Sequence, residues 1–277
     1  MFSGNILKIY GSDIYRDLIE IKNRRPLIHH IMNYVVMNDA ANVTLAIGAS
    51  PIMAHAIEEV EELAAVADAI YINIGTLDSH WIPSMVALAK AASRNKKPLI
   101  LDPVGAGATR LRTETTIRIL REAEVTILKG NGGEIAAIAG SRDLVKGVDS
   151  LGEANVDIVE KVAMEFNTTV FASGPVDVIS DGSRYAEIRG GSELSRYVTG
   201  MGCMLGSIVS AFAAVNKDPL RASIDGSVFF KRAAELASRR AREPGSFRVE
   251  LINAIYYISL DHLRDVEVEI RSRRSSQ

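Results

Sequence analysis

Pro98-Leu99-Ile100-Leu101-Asp102-Pro103-Val104-Gly105 decides the fold. A short apolar run, too brief for a helix, stops on a carboxylate, a proline and a glycine. The same grammar recurs along the chain. Ala69-Ile70-Tyr71-Ile72-Asn73-Ile74 ends in Gly75-Thr76, Val125-Thr126-Ile127-Leu128 in Lys129-Gly130-Asn131-Gly132-Gly133-Glu134, and Thr168-Thr169-Val170-Phe171 in Ala172-Ser173-Gly174. Amphipathic segments at 54–67, 80–94, 112–122 and 155–166 lie between them. Apolar strands alternating with helices predict an α/β fold, a mainly parallel central sheet covered on both faces.

Outward from this centre the pattern changes. Residues 176–180 and 185–189 read as a hairpin about Asp181-Gly182, a favoured hairpin turn. The last third reads as helices at 203–215, 220–240 and 247–261, with start signals at Asp218-Pro219 and Pro244-Gly245-Ser246. The first fifty residues read as helices at 12–23 and 37–49 around a polar break holding His29, His30, Asn33 and Asn38. No repeat or linker interrupts the chain. One domain is expected over 1–265, with 266–277, including Arg271, Arg273 and Arg274, as a solvated tail.

Bulk properties narrow the function. The 277 residues are 47% apolar and 24% charged, with a formal net charge of −2. That balance gives no electrostatic case for nucleic acid or an anionic membrane as partner. A lone cysteine forms no internal disulfide and suits a reducing, cytoplasmic setting, and no Cys/His spacing marks a zinc site. Met1-Phe2-Ser3-Gly4-Asn5 lacks the basic start and apolar block of a secretory signal. No apolar run reaches the roughly 20 residues of a membrane span.

The chemistry concentrates at Val198-Thr199-Gly200-Met201-Gly202-Cys203, which runs into the apolar segment 204–215. Small residues ahead of a helix leave backbone amides bare at its positive end, an anion site in which a Cys203 thiolate would be stabilised. Ligands of parallel sheets gather at strand carboxyl ends, and those ends carry Asn73, Gly75 and Thr76, Asp102 and Gly105, Lys129, Asn131 and Glu134, and Ser173 and Gly174. Asp102 and Glu134 are paired carboxylates suited to Mg²⁺ on a nucleotide, and Lys129 suits its phosphates as a point charge. Each feature has a plainer explanation: turn chemistry, helix capping, an exposed loop lysine. Met53 alone reads as core filler, the acidic run 58–62 as a solvated face, and His29, His30 and His55 as structural histidines. The P-loop, Gly-x-Gly-x-x-Gly and protein-kinase signatures are absent. Convergence of these strand ends with the glycine turn favours a small-molecule phosphotransferase.

The sequence resembles the hydroxyethylthiazole kinase family of ribokinase-like enzymes. The resemblance is carried by Pro26-Leu27-Ile28-His29, Asn33-Tyr34-Val35, Met37-Asn38-Asp39, Ala46-Ile47-Gly48-Ala49-Ser50-Pro51, Met53-Ala54 and Asn73-Ile74-Gly75-Thr76. It continues through Leu101-Asp102-Pro103-Val104-Gly105-Ala106-Gly107-Ala108, Lys129-Gly130-Asn131, Glu134-Ile135, Lys146-Gly147-Val148-Asp149-Ser150, Asp177-Val178-Ile179-Ser180-Asp181-Gly182, Val198-Thr199-Gly200, Gly202-Cys203 and Pro244-Gly245-Ser246-Phe247. It implies a three-layer α/β/α domain that transfers the ATP γ-phosphate to the hydroxyl of 4-methyl-5-(2-hydroxyethyl)thiazole. By position it implies that Asn33, Met53, Gly75, Thr76, Gly200 and Cys203 face the alcohol, and that Gly200, Gly202 and Cys203 form the catalytic turn. Lys129 and Ser173 would contact ATP, and Asp102 and Glu134 would hold Mg²⁺ directly or through water. It also implies a homotrimer with sites at subunit interfaces.

Three departures stand out. His29-His30-Ile31-Met32-Asn33 replaces the usual His-Cys-Ile-Thr-Asn, Met201 stands where Thr or Ala is common, and Ser173-Gly174 replaces Thr-Gly. Met32 and Met201 are expected to add bulk near the pocket. Cys203 occupies the place where ribokinase-like enzymes normally carry an aspartate base. The competing readings are a lyase resembling NAD(P)H-hydrate dehydratases, which keep that aspartate, a kinase for another heterocyclic alcohol, and a non-catalytic binding protein.

Overall fold

In the computed structural model, which describes residues 7–140 and 155–272, ten strands hydrogen-bond into one sheet. The motif 146–150 and the first six residues lie outside the described residues. The first half comprises β1 (Leu7–Tyr10), α1 (Gly11–Arg24), β2 (Leu27–Ile31), α2 (Met37–Ile47), β3 (Ser50–Met53), α3 (Val60–Val66), β4 (Ala69–Asn73), α4 (Trp81–Arg94), β5 (Leu99–Asp102), α5 (Arg110–Glu122), β6 (Ile127–Asn131) and α6 (Gly132–Ile138). There follow α7 (Val156–Phe166), β7 (Thr169–Ser173), β8 (Asp177–Ser180), β9 (Arg184–Ile188), α8 (Met201–Ala213), α9 (Pro219–Arg240), α10 (Pro244–Tyr257) and β10 (Glu267–Ser272).

The sheet order is β1-β10-β9-β8-β7-β6-β5-β4-β2-β3. From β3 to β7 every pairing is parallel, and from β7 to β1 every pairing is antiparallel. Alternation along the strands builds two cores. Ile70, Ile72, Leu99, Leu101 and Leu128 face the layer of α3–α7. Tyr71, Ile100, Ile127 and Phe171 face α1, α2 and α8–α10. The expected three-layer α/β/α architecture is therefore present. Helix α8 is buried all along Cys203–Ala213, as its apolar sequence requires.

The same alternation positions the site. Asn73, Asp102, Lys129 and Ser173 each follow, two residues on, a side chain that packs into the α8 layer. Four polar groups thereby end up beneath one helix.

The structure corrects several expectations. The polar break near His29 contains a strand, β2, and β3 lies between the expected helix 37–49 and the segment 54–67, where no strand was expected. The two histidines hid β2, yet both are fully buried. Strand β3 carries Pro51, tolerated because β3 is the edge of the sheet. Residues 267–272 of the expected solvated tail form β10, inserted between β1 and β9. Its Val268 and Ile270 are buried while Glu267, Arg271 and Ser272 stay exposed, a period-two pattern masked by charge. The hairpin at Asp181-Gly182 and the helix starts at Pro219 and Pro244 are where the sequence puts them.

Candidate active site

Gly200 is the N-cap of α8 and lies in the left-handed region at φ +81. A side chain there would be strained and its Cβ would come within 2.5 Å of both Val36 methyls. Beyond it the amides of Met201, Gly202 and Cys203 open the helix and have no acceptor one turn earlier. Beneath this turn is Lys129, whose Nζ would be 3.4 Å from a Cβ placed on Gly202.

Lys129 is not an exposed loop residue. It is 2% exposed, and its ammonium donates to Asp102 Oδ2 at 3.1 Å. Burial, the largest single influence, would lower its pKa, but the surrounding acidic groups, Asp102 foremost, together outweigh it and raise the pKa, so the lysine stays charged. The Tyr71 hydroxyl lies 2.8 Å from the same Asp102 oxygen.

Glu134 sits on the next strand end. Its Oε2 accepts from the Asn131 amide and the Asn131 side chain accepts from the Glu134 amide, a capping box that starts α6. Its Oε1 accepts from the Gly105 amide at 2.8 Å, tying the loop after β5 to the start of α6. Burial, then the nearby Asp102 charge, push the Glu134 carboxyl up. Two hard-oxygen groups that repel each other beside a positive helix end suit a divalent cation.

On the other side of the turn, Asn33 Nδ2 donates to Asn73 Oδ1 at 2.8 Å and lies 3.5 Å from Cys203 Sγ. Asn73 Oδ1 also accepts from the Gly75 amide. Gly75 must lack a side chain, because a Cβ would meet Asn33 atoms at 2.8–2.9 Å. Thr76, at φ +45, accepts at Oγ1 from the Tyr34 amide. Thus Asn33, Gly75, Thr76, Gly200 and Cys203 are brought together. Met53 ends the edge strand β3, in parallel register with His30 of β2, the strand that leads to Asn33.

Ser173 ends β7, and its hydroxyl donates to the Gly130 carbonyl at 3.1 Å. It lines a cleft of about 440 Å³ with Gly174, Gly191, Arg196, Met201 and Gly202. Met201 therefore belongs to the Ser173 side, and Met32 is wholly buried in the core.

The thiolate expectation is also overturned. Burial, reinforced by the Asp102 charge, pushes the Cys203 thiol up to about 11. Lys129, Asn73 and Asn33 pull it back down by less.

The comparisons now bear on this geometry. The model of the "Hydroxyethylthiazole kinase family" matches residues 18–261. The chain belongs to the hydroxyethylthiazole kinase family. A hydroxyethylthiazole kinase of Caldivirga maquilingensis is 54% identical over 256 residues, covering 92% of this chain and 96% of the relative. The solved hydroxyethylthiazole kinase of Pyrococcus horikoshii OT3 superposes with a TM-score of 0.86 at 44% identity, over 95% of this chain and all of that one. Bacillus subtilis pyridoxal kinase, in an ADP complex, shares the fold at a TM-score of 0.55 and 15% identity, over 75% of this chain and 90% of its own.

Within this hydroxyethylthiazole kinase family member, sequence reasoning missed two side chains that shape the site. Tyr71 reads as core because it lies inside an apolar strand. Arg112 reads as a helix surface residue, yet its Nη1 donates to the carbonyls of Ile74 (3.2 Å) and Val104 (2.6 Å). It holds the loops after β4 and β5 together. Only β-strand parity could have pointed to Tyr71, since Tyr71 and Asn73 share a face.

Proposed function

We propose that the protein transfers the γ-phosphoryl group of ATP to the primary hydroxyl of 4-methyl-5-(2-hydroxyethyl)thiazole, a step of thiamin salvage. The observation that carries this reading is the first turn of α8 facing the Asp102–Lys129 pair. Phosphoryl transfer needs positioning and charge stabilisation more than covalent help, and both are present. The amides of Met201, Gly202 and Cys203 donate to the oxygens of the moving phosphoryl group as negative charge shifts onto them. Lys129 adds a fixed positive charge below them.

Asp102 and Glu134 would hold Mg²⁺, which supplies charge neutralisation on the phosphates. Among the described residues no cluster of three or more His, Cys, Asp or Glu side chains could cage a metal, which suits a cation completed by phosphate and water. Ser173 and Lys129 serve the nucleotide. Asn33, Gly75, Thr76 and Gly200 orient the alcohol. Cys203 contributes as a neutral thiol next to Asn33, positioning the hydroxyl rather than removing its proton. Met53 stands on the edge strand β3, and Tyr34 next to Asn33 is 64% exposed. Both features support a homotrimer whose sites join two subunits. No helix among the described residues is long and apolar enough to cross a membrane, and we place the enzyme in the cytoplasm.

The test is ³¹P NMR of a reaction holding ATP, Mg²⁺ and the thiazole alcohol, beside a matched pyrimidine alcohol. A thiazole phosphomonoester resonance appearing with ADP is the expected result. Phosphorylation of the pyrimidine alone, or of neither, refutes the assignment.

A further inference from the structure

Tyr71 is completely buried in the middle of β4. A phenylalanine would meet the packing need there, and a buried hydroxyl is costly unless it is bonded. The Tyr71 hydroxyl has three neighbours: Asp102 Oδ2 at 2.8 Å, the Cys203 carbonyl at 3.2 Å, and Asn73 Nδ2, which donates to it at 3.1 Å. It has one proton for two acceptors. The shorter distance and the carboxylate charge favour Asp102. Burial, then the Asp102 charge, raise the phenol well above its ordinary value, so it stays a donor.

Two further features hold the ring in place. Gly206 on α8 leaves room, since a Cβ there would come within 2.2 Å of the Tyr71 hydroxyl. His30 packs edge-on at 5.7 Å. His30 is itself fixed: its Nδ1 donates to the Ile28 carbonyl, leaving Nε2 to accept from Ser207 on α8 at 3.2 Å. Burial lowers its pKa to about 4, so it is neutral.

We propose that Tyr71 is a positioning residue for phosphoryl transfer, its hydroxyl fixing the Asp102 carboxylate against the first turn of α8. The proposal rests on the role given to Asp102 above. Through Asn73, which also holds Asn33 and Gly75, the same hydroxyl connects the phosphate side of the site to the alcohol side.

Tyr71→Phe keeps the ring and removes the hydroxyl. It should lower kcat roughly ten- to a hundredfold, as small misplacements of reacting groups do. KM for the thiazole alcohol should change by less than about twofold, because the alcohol contacts remain. A kcat within about twofold of the parent in a folded variant overturns the proposal. Should the variant not fold, 3-fluorotyrosine at position 71 of the otherwise unchanged chain decides by ¹⁹F NMR. Its resonance should move on titration with Mg²⁺ and ADP, and an unmoved resonance overturns the proposal. Asp102→Asn, measured in parallel, separates the two layers of inference. Full turnover in Asp102→Asn removes both the Asp102 role and the proposal. An inactive Asp102→Asn beside a fully active Tyr71→Phe removes the proposal alone.

Discussion

Two ion pairs built on buried carboxylates differ in how many donors reach the carboxylate. Asp102 and Lys129 meet at the carboxyl ends of β5 and β6, and the Tyr71 hydroxyl adds a further donor to the carboxylate. Asp225 and Arg221 meet on α9 at 2.7 Å, close to Asp17 of α1, and Asn216 and Arg16 both reach Asp17. There Asp225 Oδ2 and Arg221 Nη2 have no hydrogen-bond partner. Burial pushes the Asp225 carboxyl up to about 8, with Arg221 pulling it down and Asp17 pushing it up. In the first pair the Lys129 ammonium and the Tyr71 hydroxyl both reach Asp102 Oδ2, beneath a helix N-terminus. The second relieves its desolvation by taking a proton. Burial favours the protonated form of a carboxyl most where its oxygens lack donors.

The largest effect after loss of Asp102 is expected from Glu134→Gln. Turnover at saturating Mg²⁺ should fall about a hundredfold if the carboxylate holds the cation, and near-parental kcat would reject that role. The variant should also lose about 1–3 kcal/mol of stability in urea titrations, because the amide cannot accept from both Gly105 and Asn131.

Cys203→Ser tests the smaller claim that the thiol is neutral and only positions the alcohol. Its hydroxyl can still meet Asn33, so kcat should drop about tenfold or less. The shape of the pH–rate profile between pH 6 and about 9 should not change, since a thiol near 11 does not titrate there. Complete inactivity, or loss of an ionisation in that window, would restore thiolate chemistry.

Asp225→Asn addresses the second pair and should act on stability rather than rate. The Asp225 pKa of about 8 lies well above the ordinary aspartate value of 3.8, so the folded chain keeps a proton that the unfolded chain releases. Stability is therefore complete below about pH 4 and falls as pH rises toward 8. Thermal melts of the parent should show Tm dropping across that window, and the asparagine variant should flatten the slope. A parent Tm that rises from pH 5 to 8 while the variant tracks it would contradict this account.

The contrast also explains what the sequence could disclose. Strands β4 to β7 were legible because parallel strands covered on both faces are apolar runs, and their polar ends named Asp102, Lys129, Glu134 and Ser173. The Gly200 turn was legible because its backbone needs a glycine. Strands β2 and β10 were not, since buried histidines and alternating charges mimic loop and tail. Tyr71 and Arg112 were hidden because their partners come from other elements. The neutral state of Cys203 was hidden because desolvation depends on neighbours distant in the chain.

The most direct measurement is kcat for Asp102→Asn and Asp225→Asn, side by side, in folded protein at pH 7.5 with saturating ATP, Mg²⁺ and thiazole alcohol. The account predicts a loss of at least about a hundredfold for Asp102→Asn and a kcat within about twofold of the parent for Asp225→Asn. Parental turnover in Asp102→Asn would contradict it, because the pair beneath α8 would then be as structural as the pair on α9.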